Sequence, residues 1–146
     1  MSAQLQYDVD TMRRMVLDEA RSWVGTPYHN CSDIKGVGCD CIMLLVRVYT
    51  AVGLIPETTD PRPYSPDWFM HRDEERYLNG IVDFCRKVET PQPADIALYK
   101  FGRTVSHASI IVDDNLMIHA HRQARMVLVE ERRSIESRLH SYWSRF

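Results

Sequence analysis

Cys41 follows Asp40 and opens the apolar run Cys41 to Val46, after a stretch that holds Gly25, Gly36 and Gly38. A cysteine in the first turn of a helix meets unpaired backbone N–H groups and the positive end of the helix dipole, which favour a thiolate over a thiol of ordinary pKa ~8.5. That is the chemistry of a nucleophile. The same N–H groups would hold the oxyanion formed when the thiolate attacks a carbonyl. The alternative is a small apolar residue packed in a core. A cysteine nucleophile needs a base within hydrogen-bond reach, and the base needs an orienting partner. His107 opens one apolar segment and His119 lies in the next, with the turn residues Asp113-Asp114-Asn115 between them. With Val112 opposite Leu116, Ser109 faces His119 and His107 faces His121. His107 and His119 are then diagonal neighbours on one sheet face, ~7–8 Å apart at Cα. A slip of one residue puts them on opposite faces. The sequence permits this pair without compelling it, and His121 shares the face and competes for the orienting role.

The elements that must position these residues follow from periodicity. Met12, Val16, Ala20 and Trp23 recur at helical spacing, so a helix is expected over Thr11 to Val24 with Asp10 as its N-cap. Gly25-Thr26-Pro27 stops it, and a loop of more than a dozen residues runs on to Gly38. Cys41 to Val52 is apolar almost all round, as in a helix buried on most faces. Asp40 can cap its start, and Gly53-Leu54 fits a left-handed C-cap. Residues 57–93 form an irregular excursion around one short helix at Arg72 to Lys87, and 57–95 hold nine acidic against five basic residues. From there the period is two: Ile96 to Tyr99, Ala108 to Val112, Leu116 to Ala120 and Met126 to Val129 read as strands, the second and third as a hairpin. Ser134 to Phe146 suits a short helix and a last strand. Helices first and antiparallel strands afterwards predict an α+β domain with the helices on one side of the sheet.

Composition sets the frame. At 146 residues the chain is expected to be one domain spanning 1–146. With 45% hydrophobic and 26% charged residues it is neither disordered nor low-complexity. A net charge of −2 and the absence of a basic stripe or phosphate loop exclude a nucleic-acid partner as the main one. The longest apolar run is far short of the ~20 residues that span a bilayer, so no membrane association is expected. The N-terminus lacks the basic and apolar regions of a secretion signal, which predicts synthesis in the cytoplasm. Cys31, Cys39, Cys41 and Cys85, with His29, His107, His119 and His121, offer many metal ligands. The C-x-C spacing of Cys39-Asp40-Cys41 fits no common zinc pattern, so no metal and no cofactor is expected. Cys31, Cys39 and Cys85 are read as free thiols of unassigned role.

Five segments in order, Gly25-Thr26-Pro27-Tyr28, Gly38-Cys39-Asp40-Cys41, Asp95-Ile96-Ala97-Leu98-Tyr99, His107-Ala108-Ser109-Ile110-Ile111 and Met117-Ile118-His119-Ala120, resemble the successive motifs of the NlpC and p-sixty family of papain-like cysteine peptidases. The resemblance runs from about residue 11 to the C-terminus and is closest to short members encoded with phage tail genes and gene-transfer particles. It implies a papain-like fold with the nucleophile at a helix N-terminus packed on an antiparallel sheet. It also implies cleavage of peptidoglycan stem peptides, often between D-γ-glutamate and the diamino acid, by a Cys-His-His triad. Cys41 matches the nucleophile, His107 the base, and His119, rather than His121, the third member. Tyr28 matches the tyrosine that completes the oxyanion hole, and Asp40 the residue that holds the helix start or a substrate amine. Where the family commonly has Asp-Cys-Ser-Gly this chain has Asp40-Cys41-Ile42-Met43, which alters the subsite that in some relatives recognises a free N-terminal alanine. Ala94-Asp95 replaces the usual Gly-Asp. The implied carrier is a phage tail with tail-tip proteins as partners; a non-catalytic structural or assembly protein of the tail on the same fold is the alternative.

Overall fold

The computed structural model describes residues 7–64 and 76–146, with side chains except those of 76–78. The first helix, α1, is Val9–Ser22, with Asp8 as its cap. Asp8 sits in extended backbone and its Oδ1 accepts the Thr11 N–H at 2.7 Å, so the cap is Asp8 and not Asp10, which lies inside the first turn. Val16, Leu17 and Ala20 form the buried stripe of α1, and Trp23 continues it past the helix end. The second helix, α2, is Cys41–Ala51, and Asp40 caps it through the Met43 N–H at 2.8 Å. It ends in the expected left-handed motif: Gly53 at φ 80° donates to the Thr50 carbonyl and Leu54 to that of Tyr49, while the Leu54 side chain turns back into the core.

Between the helices the expected loop carries a small hairpin, β1 (Asp33–Ile34) against β2 (Gly38–Cys39), tied by bridges from Pro27 to Met126 and from Tyr28 to Cys39. The helix expected at Arg72 to Lys87 is shorter. α3 covers Arg76–Val82, residues 72–75 lie outside the described residues, and Arg86 and Lys87 belong to a strand, β3 (Arg86–Val88). Their backbone finds an edge partner, with Lys87 opposite Trp143 and Val88 opposite Tyr142, and this pairing overrides the weak helical pattern.

The main sheet is antiparallel with strand order β3-β8-β4-β5-β6-β7. Its further members are β4 (Ile96–Phe101), β5 (Thr104–Ile111), β6 (Leu116–His121), β7 (Met126–Glu131) and β8 (Leu139–Ser144). A 3-10 helix, Arg132–Arg138, stands where the short helix of the tail was expected. The β5–β6 pair has Ile110 opposite Ile118 and Ile111 opposite Met117, the register derived from the turn, and Asp113 Oδ1 accepts the N–H groups of both Asn115 and Leu116. One face of the sheet, with Ile96, Leu98, Ala108, Ile110, Ile118 and Ala120, packs on α1 and α2. The other holds Ala97, Tyr99, Ile111 and Met117 under Phe101, Ile135, Leu139 and Tyr142.

Ala94, ahead of β4, adopts φ 73°. A left-handed non-glycine residue costs ~1–2 kcal/mol. Against this, Ala94 is fully buried, and its methyl contributes ~0.8 kcal/mol while a glycine would lose ~0.5–1 kcal/mol more chain entropy on folding. The terms nearly cancel, which is why alanine is tolerated at this turn.

Candidate active site

Cys41 is fixed by the start of α2, 8% exposed, with its Sγ 3.8 Å from the Ser106 carbonyl oxygen. Ser106 is the extra residue of a β-bulge: Tyr99 pairs with His107 but Lys100 with Val105, so β5 bends where it meets the cysteine. Tyr28 lines the same cavity as the Cys41 thiol. Burial, then Cys41 and Asp40 nearby, push the Tyr28 pKa up, so its hydroxyl stays protonated as a donor beside the sulfur.

His107 and His119 meet, as the hairpin register permits. His107 Nε2 lies 2.8 Å from His119 Nδ1, and the two rings stand at 69°. Tyr99 and Phe101 pack on the other sides of the His107 ring, with centroids at 5.7 Å and 5.9 Å. His119 is 1% exposed, and its Nε2 is 2.7 Å from Glu130 Oε2. His121 makes no such contact with His107; its Nδ1 accepts the Ala124 N–H at 2.9 Å and its Nε2 stands 3.9 Å from Glu130. With Nε2 of His107 engaged by His119, Nδ1 is its remaining ring nitrogen.

These groups open on one cavity of about 330 Å³, lined by Tyr28, Cys41, His107 and His119 together with Ile42, Tyr64, Phe101, Ile135 and, at its polar rim, Asn30, Arg122 and Gln123. Asp40 lies at its floor, 2% exposed and fully engaged. Its Oδ1 caps α2, and its Oδ2 accepts the Cys31 N–H at 2.7 Å and the Tyr64 hydroxyl at 2.5 Å. Of the two roles expected for Asp40, the geometry shows the holding of the helix start. Met43 is fully buried, whereas Ile42 faces the cavity where the family motif has a small polar residue.

Tyr64 and Glu130 are the polar residues that the sequence reading missed. Tyr64 comes from the irregular acidic segment and has no periodic signal. Glu130 had one: His119 pairs with Leu128, so Glu130 is its diagonal neighbour, related to it as His119 is to His107.

No protein-family model matches the sequence, and no curated protein matches it. Solved structures do. The NlpC/p60 domain of the peptidoglycan hydrolase SagA aligns with a TM-score of 0.61 over 90% of this chain and 97% of that domain, at 17% identity. An NLP/P60 family protein from Staphylococcus aureus aligns with a TM-score of 0.67 over 98% of this chain, at 18% identity. This chain has the NlpC/P60 fold. It spans 44% of the Staphylococcus aureus protein and 65% of the peptidoglycan hydrolase RipB from Mycobacterium tuberculosis, which aligns with a TM-score of 0.63 at 21% identity. Within the NlpC/P60 fold, the α+β architecture with a helix N-terminus facing an antiparallel sheet is the one the sequence motifs implied.

Among the described residues His119, His121 and Glu130 present ligand atoms within 4.8 Å of one another. The protons disfavour a cation there. His121 Nδ1 accepts a backbone N–H, so a neutral His121 carries its proton on Nε2 and points it at Glu130, as a donor rather than a ligand.

Burial, then the neighbouring His119 and His121, push His107 well below the ordinary histidine pKa. Burial also lowers His119, in part offset by Glu130. A histidine kept neutral by the fold takes up its proton more readily when unfolded, so stability is full above the ordinary value of 6.5 and is lost as pH falls below it. The urea midpoint is expected to drop between pH 7.5 and pH 5, and to drop less in His119→Gln. The exposed carboxylates of Asp8 and Asp113, held below 3.8, act only at lower pH. An identical pH slope in wild type and His119→Gln would refute this assignment.

Proposed function

We propose that the protein is a cysteine endopeptidase acting on peptidoglycan stem peptides, at the bond between D-γ-glutamate and the diamino acid. The observation that carries this reading is one cavity containing a thiol at a helix N-terminus, a protonated tyrosine beside it, and an imidazole tied through its far nitrogen to a second imidazole. Structures that share the fold include proteins named as peptidoglycan hydrolases, which supports the substrate class.

In the proposed mechanism His107 Nδ1 takes the Cys41 proton and the thiolate attacks the peptide carbonyl. The oxyanion is held by the Cys41 N–H and the Tyr28 hydroxyl. His107 then gives its proton to the leaving amine as the C–N bond breaks, leaving a thioester on Cys41. Water, deprotonated by His107, attacks the thioester and releases the acid and the Cys41 thiol. His119 orients His107, and no metal or cofactor enters. Arg122 at the rim suits the carboxylates of a stem peptide.

The deciding experiment compares wild type with Cys41→Ala on soluble muropeptides of several stem-peptide types. Product from the wild type alone is expected. Equal product from both, or none from either, would favour the non-catalytic tail component instead. The proposed setting is a phage tail, on the likeness of the motifs to short tail-encoded members, and it predicts the protein in purified particles alongside tail-tip proteins.

A further inference from the structure

His107, His119 and Glu130 form a hydrogen-bonded row across three adjacent strands, each the diagonal neighbour of the one before. We propose that Glu130 is a positioning residue whose carboxylate fixes where the protons sit on His119 and His107 and supplies the negative charge that lets His107 accept the Cys41 proton. The proposal deepens the cysteine-peptidase reading and rests on it.

The first argument concerns proton positions. An ionised carboxylate only accepts, so the 2.7 Å contact places a proton on His119 Nε2. A neutral His119 is then an acceptor at Nδ1, and the 2.8 Å contact places the His107 proton on Nε2. His107 is left with a lone pair at Nδ1, the form that can accept a proton from a thiol. Without the carboxylate, His119 is free to carry its proton on Nδ1. His107 would then have to accept at Nε2 and bear its own proton at Nδ1, where it could take nothing from Cys41.

The second argument concerns charge. Forming a thiolate and an imidazolium puts a positive charge on a ring that its surroundings keep neutral: burial, His119 and His121 all oppose protonation of His107. Around the row stand His121 on β6, Arg122 just after it, Tyr99 on β4, and Tyr28 and Asp40 across the cavity. Asp40 already serves the Met43 and Cys31 N–H groups and the Tyr64 hydroxyl. Among the described residues Glu130 is the carboxylate bonded to the histidine row, and it favours the protonated form of His119. His119 alone offers only a neutral dipole; a carboxylate behind it offers an opposite charge in a partly buried place.

The test reads Cys41 directly, through its rate of alkylation by iodoacetamide as a function of pH with no substrate present. In the wild type reactivity is expected to persist on the acid side of an ordinary thiol's titration. Glu130→Ala should lose about tenfold or more of that rate near pH 6.5, the effect of one pKa unit or more on the thiolate fraction, and match the wild type above pH ~9, where any thiol ionises. Glu130→Gln keeps an acceptor but no charge and should fall between the two. kcat on muropeptides should fall with the alkylation rate while KM stays constant. Superimposable alkylation profiles for wild type and Glu130→Ala would overturn the proposal, and so would a loss that persists at pH 9, which would mark general damage. If the profiles shift but no muropeptide is cut by the wild type, the substrate reading fails and the role of Glu130 in activating Cys41 stands.

Discussion

His107→Ala is expected to lower kcat for muropeptide cleavage by about 10³-fold or more while the protein remains folded, measured by product release alongside circular dichroism. The size follows from what would be lost. His107 lines the same cavity as Cys41 with its Nε2 engaged by His119; in the proposed mechanism it takes one proton from the thiol, gives it to the leaving amine, and takes another from water. The other two histidines of the cavity are turned to other partners: His119 bonds His107 and Glu130, and His121 accepts the Ala124 N–H with its Nε2 3.9 Å from Glu130. His119→Ala should be milder, about 10- to 100-fold, because His107 keeps its place against Tyr99 and Phe101 and loses only the bond at Nε2. His121→Ala should change kcat by less than about threefold, since its ring does not bond to His107. Equal losses in His119→Ala and His121→Ala would mean that the row of contacts is not the one used in turnover.

That contrast separates what was legible in the sequence from what was not. A two-residue period and a turn of Asp113, Asp114 and Asn115 were enough to derive the register of β5 against β6, which permitted but did not compel the meeting of His107 and His119, because side-chain alternation leaves few registers that bury Ile110, Ile111, Met117 and Ile118. The cap of α2 was equally legible: an aspartate directly before a run that is apolar almost all round reads as an N-cap. The choice between His119 and His121 was not, since both share a face and periodicity treats them alike; the family resemblance favoured His119, and it is His119 whose Nδ1 lies 2.8 Å from His107 Nε2. The bulge at Ser106 could not be foreseen, because it arises from how β5 must bend to reach α2, a long-range demand with no local signature. Arg86 and Lys87 show the opposite failure. Their local pattern suggested helix, and an edge of β8 offered backbone partners that the pattern could not reveal. The N-terminal cap moved by two residues because Asp8 and Asp10 are chemically equivalent and only the entering backbone direction decides between them.

The second large effect lies away from the cavity. Arg13 on α1 reaches the turn before β4, where its Nη1 is 2.8 Å from Asp95 Oδ1 and 2.7 Å from the Pro93 carbonyl, and its guanidinium lies 4.4 Å from the Phe146 ring centroid. The side chains are 8% and 2% exposed, so neither charge has water to fall back on. Asp95 Oδ2 also accepts the Gln92 N–H at 2.8 Å, holding the turn that leads into the strand paired with β5. A buried ion pair adds little over an apolar pair of the same shape, but losing one partner strands the other, at a cost of about 3–5 kcal/mol. Arg13→Met is therefore expected to remove about 3–5 kcal/mol from an unfolding free energy of the usual ~5–15 kcal/mol, read from urea unfolding. Asp95→Asn should cost less, because the amide oxygen can still accept from Gln92 and Arg13 keeps the Pro93 carbonyl and the Phe146 ring. The double variant should lose less than the sum of the two, since each change removes the reason the other is costly. Additive losses would show two independent contacts instead of one pair, and a loss below about 1 kcal/mol for Arg13→Met would show that the stranded carboxylate finds water or a proton. Because the same turn sets β4 against β5, Arg13→Met at temperatures near its own midpoint should loosen the strand that carries His107 and lower activity there before global unfolding does.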